Sequence, residues 1–146
     1  WKSLPDVKMF IAGATPDSKV RRVASDKIIV SGWIDDIRDA YSQSRVFIAP
    51  MRIGTGLQNK ILEAMSMKIP SITTSLASNP IGATEDVDIM VGNNAAELAS
   101  HIVLLLKDKE KAASLAQNGY DFVHRVYEWS SVTSILEEAM KKVIKK

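Results

Sequence analysis

Short apolar runs alternate with polar, helix-forming stretches along most of the chain. Five runs have the length of buried strands and lie at residues 7–13, 27–33, 45–50, 68–75 and 86–92. Six stretches have helical periodicity and lie at residues 15–25, 35–44, 57–67, 95–108, 110–127 and 130–146. Strands that alternate with helices indicate a parallel sheet with helices on both faces. The pattern predicts one Rossmann-like α/β domain with about five strands.

A few positions within this pattern have specific expected roles. Asp35 or Asp36 is the expected N-cap of the second helix. In the third helix, Leu57 and Ile61 are expected on the inner side. Trp129, just before the last helix, is expected to anchor that helix against the rest of the domain.

Composition limits the classes of function. The chain has 146 residues, 46% hydrophobic and 25% charged, which suits one soluble globular domain. Its net charge of +2 gives no support for nucleic-acid binding. There is no cysteine, and two isolated histidines do not make a metal cluster. No apolar run is long enough to span a bilayer and no signal peptide is visible, so a cytoplasmic setting is expected.

The segment "APMRIGTGLQNKILEAM" joins a strand to a helix through a glycine-containing loop. Gly54 and Gly56 let the backbone approach a ligand, and the N–H groups of the helix N-terminus favour an anion such as phosphate. Lys60 can reach the same charge, and Glu63 lies three residues further along. A carboxylate beside a phosphate site is suited to ribose hydroxyls. The alternative is a structural turn followed by a surface Lys60–Glu63 ion pair.

The order of motifs favours the ligand-binding interpretation. The segments "FIAG", "VSGWIDDIRDAYSQSRVFIAP" and "GTGLQNKILEAMSMKIPSITT" follow one another, and "AELASHIVLLLKD" and "EWSSV" come later. Together they resemble the C-terminal, donor-binding domain of group 1 glycosyltransferases, a retaining family with the two-domain GT-B fold. The resemblance covers nearly the whole chain.

The resemblance implies specific roles around a nucleotide-sugar donor. The loop and the helix N-terminus would hold the diphosphate, and Glu63 would bind the ribose hydroxyls. Trp33 and Ile34 would frame the nucleobase, largely through backbone atoms. Many family members have a second Glu that contacts the donor sugar, and this chain has Thr55 at that position.

The remaining expected site residues follow from the same resemblance. With Thr55 in place of a carboxylate, Lys60 gains weight as a phosphate or sugar contact, and these two are the expected catalytic residues. Arg52 at the mouth of the loop can pair with phosphate, or it can be a solvated loop arginine. Gly82, in the segment "SNPIGA", matches a family loop near the donor sugar, although turn chemistry alone explains a glycine there. The expected donor-binding residues are Gly54, Gly56, Leu57, Glu63, Arg52, Trp33, Ile34 and Gly82.

The chain begins with Trp1, which leads us to expect a piece of a longer protein. In the family, an acceptor-binding domain and a strand followed by basic residues come before this region, so the isolated piece is expected to be inactive. The full protein would move a sugar to a glycan or a lipid-linked acceptor, without a metal or another cofactor. It would act in the cytoplasm or at the cytoplasmic face of the membrane. The alternatives are a non-catalytic interaction module and a GT-B sugar-nucleotide epimerase.

Overall fold

The computed structural model describes residues 4–54 and 56–144. In these residues, parallel strands and helices alternate as the hydrophobic pattern predicts. The strands are β1 (Met9–Ile11), β2 (Ile28–Val30), β3 (Phe47–Ala49), β4 (Ser71–Thr73) and β5 (Met90–Val91). The helices are α1 (Ser18–Arg21), α2 (Ile37–Ser42), α3 (Asn59–Ser66), α4 (Ser75–Ile81), α5 (Ala95–Lys107), α6 (Lys109–Tyr127) and α7 (Trp129–Ile144).

The chain divides into two compact units, residues 1–44 and 45–146. In the first unit β1 and β2 form a parallel pair in which Met9 is opposite Ile28. In the second unit β3, β4 and β5 form a parallel sheet with β4 in the middle. The sequence predicts one domain with one sheet of five strands. The α/β class and the five parallel strands are confirmed, and the strands belong to two hydrogen-bonded sheets.

Side chains of the three-stranded sheet alternate between two apolar clusters. In β3 Ala49 joins the first cluster while Ile48 packs against the second. In β5 Val91 joins the first cluster and Met90 the second. The first contains residues from α3, α4 and the end of α6, and the second contains residues from α5 and the start of α6. Because neighbouring strand residues point to opposite faces, helices cover both faces of this sheet.

Helix α4 corrects the sequence prediction for the segment after β4. Residues 78–83 were expected to form a loop, but helix α4 continues to Ile81. Pro80 lies in its last turn and has no N–H to donate to the carbonyl four residues earlier, so one hydrogen bond of this short helix is not made. Gly82 ends the helix in the left-handed conformation, with φ of 74°. The turn-forming composition of this segment therefore marks the end of a helix.

Helix α7 leaves most of its apolar side chains in solvent. Trp129 is 81% exposed, so its expected role as an anchor of α7 is wrong. Other exposed apolar residues of the helix are Val132, Leu136, Met140, Val143 and Ile144. In the part of the chain that the structure describes, no helix is both long and apolar enough to cross a membrane.

Candidate functional site

The base of the glycine loop is attached to the end of β4. The Thr73 hydroxyl donates a hydrogen bond of 2.8 Å to the carbonyl of Ala49, the last residue of β3. The Thr74 hydroxyl donates one of 2.8 Å to the carbonyl of Met51. Both threonines are buried. These contacts fix the point at which the chain leaves the sheet, at the carboxyl end of β3, where α/β proteins bind ligands.

Glycine suits the two loop positions for different structural reasons. Gly56 has φ of +73°, a left-handed conformation that a residue with a Cβ adopts at a cost. Gly54 has its neighbours close by, because an added Cβ would lie 3.4 Å from both Gln58 Nε2 and Met51 Cε. Thr55, the expected sugar contact, lies outside the described residues.

The N-terminus of α3 has no side-chain cap. Gln58 is at the N-cap position, but its side chain makes no capping hydrogen bond. Gln58 Nε2 instead donates to the carbonyl of Gly56 at 3.4 Å. The first turn of α3 contains no acidic residue. The positive end of the helix dipole is therefore not offset by a side chain of its own first turn, which suits an anionic ligand.

The charged residues predicted for the site lie on the solvent side of this segment. Lys60 and Glu63 are exposed, whereas Ile61 on the same helix is fully buried. Arg52 is also exposed, at the start of the loop. Leu57 precedes α3 and is 42% exposed, so its predicted place on the inner side of the helix is wrong. The position of Leu57 beside the loop is compatible with the donor contact assigned to it.

The first unit has a pocket at the carboxyl ends of β1 and β2. It has a volume of about 330 Å³ and is lined by Gly13, Ala14, Gly32, Trp33, Ile34, Asp35 and Ile37. Trp33 is 74% exposed, and its indole Nε1 donates a hydrogen bond of 2.9 Å to Asp35 Oδ1. Ile34 is half-buried. Trp33 and Ile34, both predicted to frame a base, are thus found together in one pocket.

The N-cap of α2 is Asp36, which settles the choice between the two aspartates. Asp36 Oδ1 accepts from the backbone N–H of Arg38 at 2.9 Å, and the Arg38 guanidinium forks over the same carboxylate at 2.6–2.9 Å. Hydrogen bonds from the side chain and then the backbone of Arg38 lower the pKa of Asp36 from 3.8 to about 2. This carboxylate therefore belongs to the helix cap.

The amino-acid sequence matches a known protein family over most of its length. The model for "Glycosyl transferases group 1" matches residues 1–108, which is most of the chain. The chain belongs to the group 1 glycosyltransferases. An uncharacterized 44.6 kDa protein from the cps region of Klebsiella pneumoniae is 26% identical over 147 residues, covering 94% of this chain and 38% of that protein.

Several solved structures share the fold. The C-terminal domain of the group 1 protein LpcC from Francisella tularensis has a TM-score of 0.72 and 27% identity, covering 88% of this chain and 73% of that domain. Anabaena HepE in complex with UDP has a TM-score of 0.79 and 13% identity, covering 97% of this chain and 43% of HepE. Sucrose-phosphate synthase from Thermosynechococcus elongatus has a TM-score of 0.73 and 18% identity, covering 97% and 40%. The chain therefore spans less than half of several of these relatives.

The predicted glycosyltransferase site residues fall into three places. Arg52, Gly54, Gly56, Leu57, Lys60 and Glu63 form one continuous segment of the second unit. Trp33 and Ile34 line the pocket of the first unit. Gly82 ends α4, whereas the carboxyl end of β4 is at the start of that helix. Its role at the donor stays a prediction, and its observed role is that of a helix cap.

Sequence reasoning missed the polar residues that surround the end of β4. Besides Thr73 and Thr74, Ser75 donates through its N–H and its hydroxyl to Asn93 Oδ1, at 3.0 and 2.8 Å. Asn93 N in turn donates to Glu97 Oε2 at 2.7 Å. The available signal was the run of three hydroxyl residues at the end of the predicted strand. Such a run supplies three side-chain donors in one place.

Proposed function

We propose that this chain is the donor-binding part of a glycosyltransferase that moves a sugar from a nucleotide-sugar to a glycan or lipid-linked acceptor. The observation that carries the proposal is the segment from Gly54 to Glu63. There a left-handed glycine leads into a helix N-terminus without a side-chain cap, followed by an exposed lysine and carboxylate. Membership of the group 1 family supports the assignment of this segment to a nucleotide-sugar donor.

The proposed roles follow from charge. The N–H groups at the start of α3 and the Lys60 ammonium would stabilise the diphosphate, and most strongly as it leaves with its developing negative charge. Arg52 would add a second cation at the mouth of the loop. Glu63 would accept hydrogen bonds from the ribose hydroxyls. Thr55 would contact the donor sugar, and the proposal includes no metal and no other cofactor.

A similar structure suggests which nucleotide of the donor to test first. Anabaena HepE, whose fold this chain shares, is seen with UDP and with UDP-glucose. This likeness supports a nucleotide-sugar as the ligand class and makes uridine nucleotides the first to try. In the proposal, the full protein acts with retention of the anomeric configuration, in the cytoplasm or at the cytoplasmic face of the membrane, and in polysaccharide biosynthesis.

The decisive experiment uses the full-length protein and a panel of sugar-nucleotides. We expect release of a nucleoside diphosphate with at least one donor when a glycan or lipid-linked acceptor is present. Nuclear magnetic resonance of the new glycosidic bond then reports whether the anomeric configuration is retained. Inversion would remove the retaining mechanism and leave the transferase in place. No release with any donor in the panel would overturn the proposed activity.

Thermal unfolding separates an inactive enzyme from a module that binds only proteins. A ligand that binds the folded state raises the unfolding temperature, and more so as its concentration exceeds the dissociation constant. We expect UDP or GDP to stabilise the full-length protein. If neither nucleotide does so at millimolar concentration, the interaction-module alternative becomes the better account.

A further inference from the structure

Two adjacent aspartates at the start of α2 have separate partners. Asp36 caps the helix and is held by the backbone N–H and the guanidinium of Arg38. Asp35 takes no part in that cap, and its Oδ1 accepts the indole N–H of Trp33 at 2.9 Å. The helix therefore needs only one of these acids, and the other is committed to the side chain of Trp33.

The hydrogen bond has a consequence for how Trp33 presents itself. Because the indole N–H is already engaged, Trp33 offers a ligand its ring face and edge rather than a hydrogen-bond donor. The ring is 74% exposed, so surrounding side chains do not hold it by packing. Trp33 thus stands as a flat apolar wall whose orientation depends on a single polar contact.

The pocket that Trp33 lines is open beside two glycine backbones. The pocket of about 330 Å³ lies where β1 and β2 end, and Gly13 and Gly32 contribute to its lining. An added Cβ at either glycine would have no atom within 4 Å, so the region around both backbones is open. A flat heterocycle that enters here can stack on the indole, as bases do on exposed aromatic side chains of nucleotide-binding proteins.

We propose that Asp35 is a positioning residue that holds the Trp33 indole as a stacking wall for the base of the donor nucleotide. The inference rests on the proposed function, because the ring that stacks is taken to be part of the nucleotide donor. It assigns to the Trp33 side chain a role beyond its backbone. It also assigns a role to Asp35, which acts on the ligand only through the indole.

Substitutions of both residues in the full-length protein test this arrangement through affinity for a nucleoside diphosphate. Trp33→Ala removes the stacking face and should weaken binding about ten- to a hundred-fold. Asp35→Ala frees the indole, which must then be ordered when the ligand binds. This substitution should weaken binding of the nucleoside diphosphate about three- to ten-fold. Asp35→Asn keeps an oxygen acceptor for the indole N–H and should restore most of the affinity. Pyrophosphate has no base, so its binding should be unchanged in all three variants.

A double-mutant cycle separates positioning from direct contact. Phenylalanine lacks the N–H, so Asp35→Ala should cause no further loss of affinity in a Trp33→Phe background. A full loss in that background would mean that Asp35 touches the nucleotide itself, and the positioning role would be wrong. Asp39→Ala removes a carboxylate of the same helix that does not line the pocket, and should leave affinity unchanged. This control excludes a general effect of lost negative charge.

Fluorescence gives a signature that a purely structural role would not produce. With Trp1, Trp129 and any tryptophan outside this chain replaced by phenylalanine, the tryptophan emission of the full-length protein comes from Trp33 alone. Stacking of a base should quench that emission on addition of the nucleoside diphosphate, and pyrophosphate should not. If neither the unsubstituted protein nor any variant binds a nucleoside diphosphate, the proposed function fails. If the nucleotide binds, but equally well to Trp33→Ala and without quenching, only the stacking role fails.

Discussion

The Thr74 hydroxyl donates a hydrogen bond of 2.8 Å to the backbone carbonyl of Met51. This contact joins the end of the central strand of the second sheet to the first residue of the glycine loop. Thr74 is buried, so water would not easily replace its hydroxyl as the hydrogen-bond partner of the Met51 carbonyl. The loop in front of α3 therefore depends on the side chain of Thr74, which lies outside the loop's own sequence.

Replacing Thr74 by valine should loosen the loop. Valine has nearly the same shape but no hydroxyl, so the Met51 carbonyl is left without its donor. We expect the free energy of unfolding to fall by about 1–3 kcal/mol, as for other buried polar groups that lose a partner. Pyrophosphate affinity should fall as well, measured by titration calorimetry on the full-length protein. Thr74→Ser keeps the hydroxyl and serves as the control, and equal behaviour of the two variants would contradict the assignment.

Two left-handed glycines make a matched pair for testing the loop. Gly56 and Gly82 have φ of 73° and 74°, and an added Cβ has no atom within 4 Å at either position. Alanine at either site should therefore cost stability by backbone strain alone, about 1–2 kcal/mol in each case. Chemical denaturation of the two variants measures this cost.

The same pair separates stability from binding. We expect Gly56→Ala to weaken pyrophosphate binding, because the loop in front of α3 must move to relieve the strain. Gly82→Ala changes only the end of α4 and should leave pyrophosphate affinity as it is. A comparable loss of affinity in both variants would instead support the predicted place of Gly82 at the donor.

The sequence predicted those features that depend on local pattern. All five strands lie within the predicted apolar runs, because alternation and β-branched residues leave a strong local signal. Helix α4 was missed because Asn79 and Pro80 favour turns, while the burial of Ala77 and Ile81 that stabilises the helix is a tertiary effect. The division into two sheets was missed for the same reason, since pairing between strands is not local.

Contacts at the site were predictable only in part. A glycine before a helix is visible in the sequence, and so is an acidic pair such as Asp35 and Asp36. Which aspartate caps the helix and which binds the indole depends on side-chain direction, which spacing does not determine. Gly119 shows the same limit, because an added Cβ would lie 2.9 Å from the carbonyl of Asp88, a residue 31 positions earlier.

Asp36 should titrate at an unusually low pH. Its pKa is lowered from 3.8 to about 2 by hydrogen bonds from Arg38. Because the folded value lies below the unfolded one, the stabilisation from this pair is present above pH 3.8 and is lost as the pH falls toward 2. Carboxyl-carbon resonances of aspartate, assigned with Asp36→Asn, measure the value. Arg38→Gln should raise the pKa of Asp36, though not fully, because the backbone N–H of residue 38 stays. An unchanged pKa in that variant would mean that the guanidinium is not the cause of the shift.

Lys60 and Glu63 should have separable effects on ligands that share only parts of the donor. Glu63→Gln keeps the shape but weakens acceptance of two ribose hydroxyls. Hydrogen bonds to a charged group contribute roughly 1.5–3 kcal/mol, so nucleoside diphosphate affinity should fall about ten- to a hundred-fold. Pyrophosphate, which has no ribose, should bind as before or slightly better, since a nearby negative charge is gone.

Lys60→Met should produce the opposite pattern. It should weaken both pyrophosphate and the nucleoside diphosphate, because each relies on the ammonium, and it should spare the unphosphorylated nucleoside. Titration calorimetry of the full-length variants against the three ligands distinguishes the two roles, with Glu138→Gln and Lys142→Met on α7 as charge-matched controls. Equal losses for every ligand in both variants would mean that the substitutions damage α3 itself. The surface ion pair would then be the better account of these residues. Crossed losses require that one side chain binds the ribose and the other the diphosphate, because damage to the helix lowers all three affinities together.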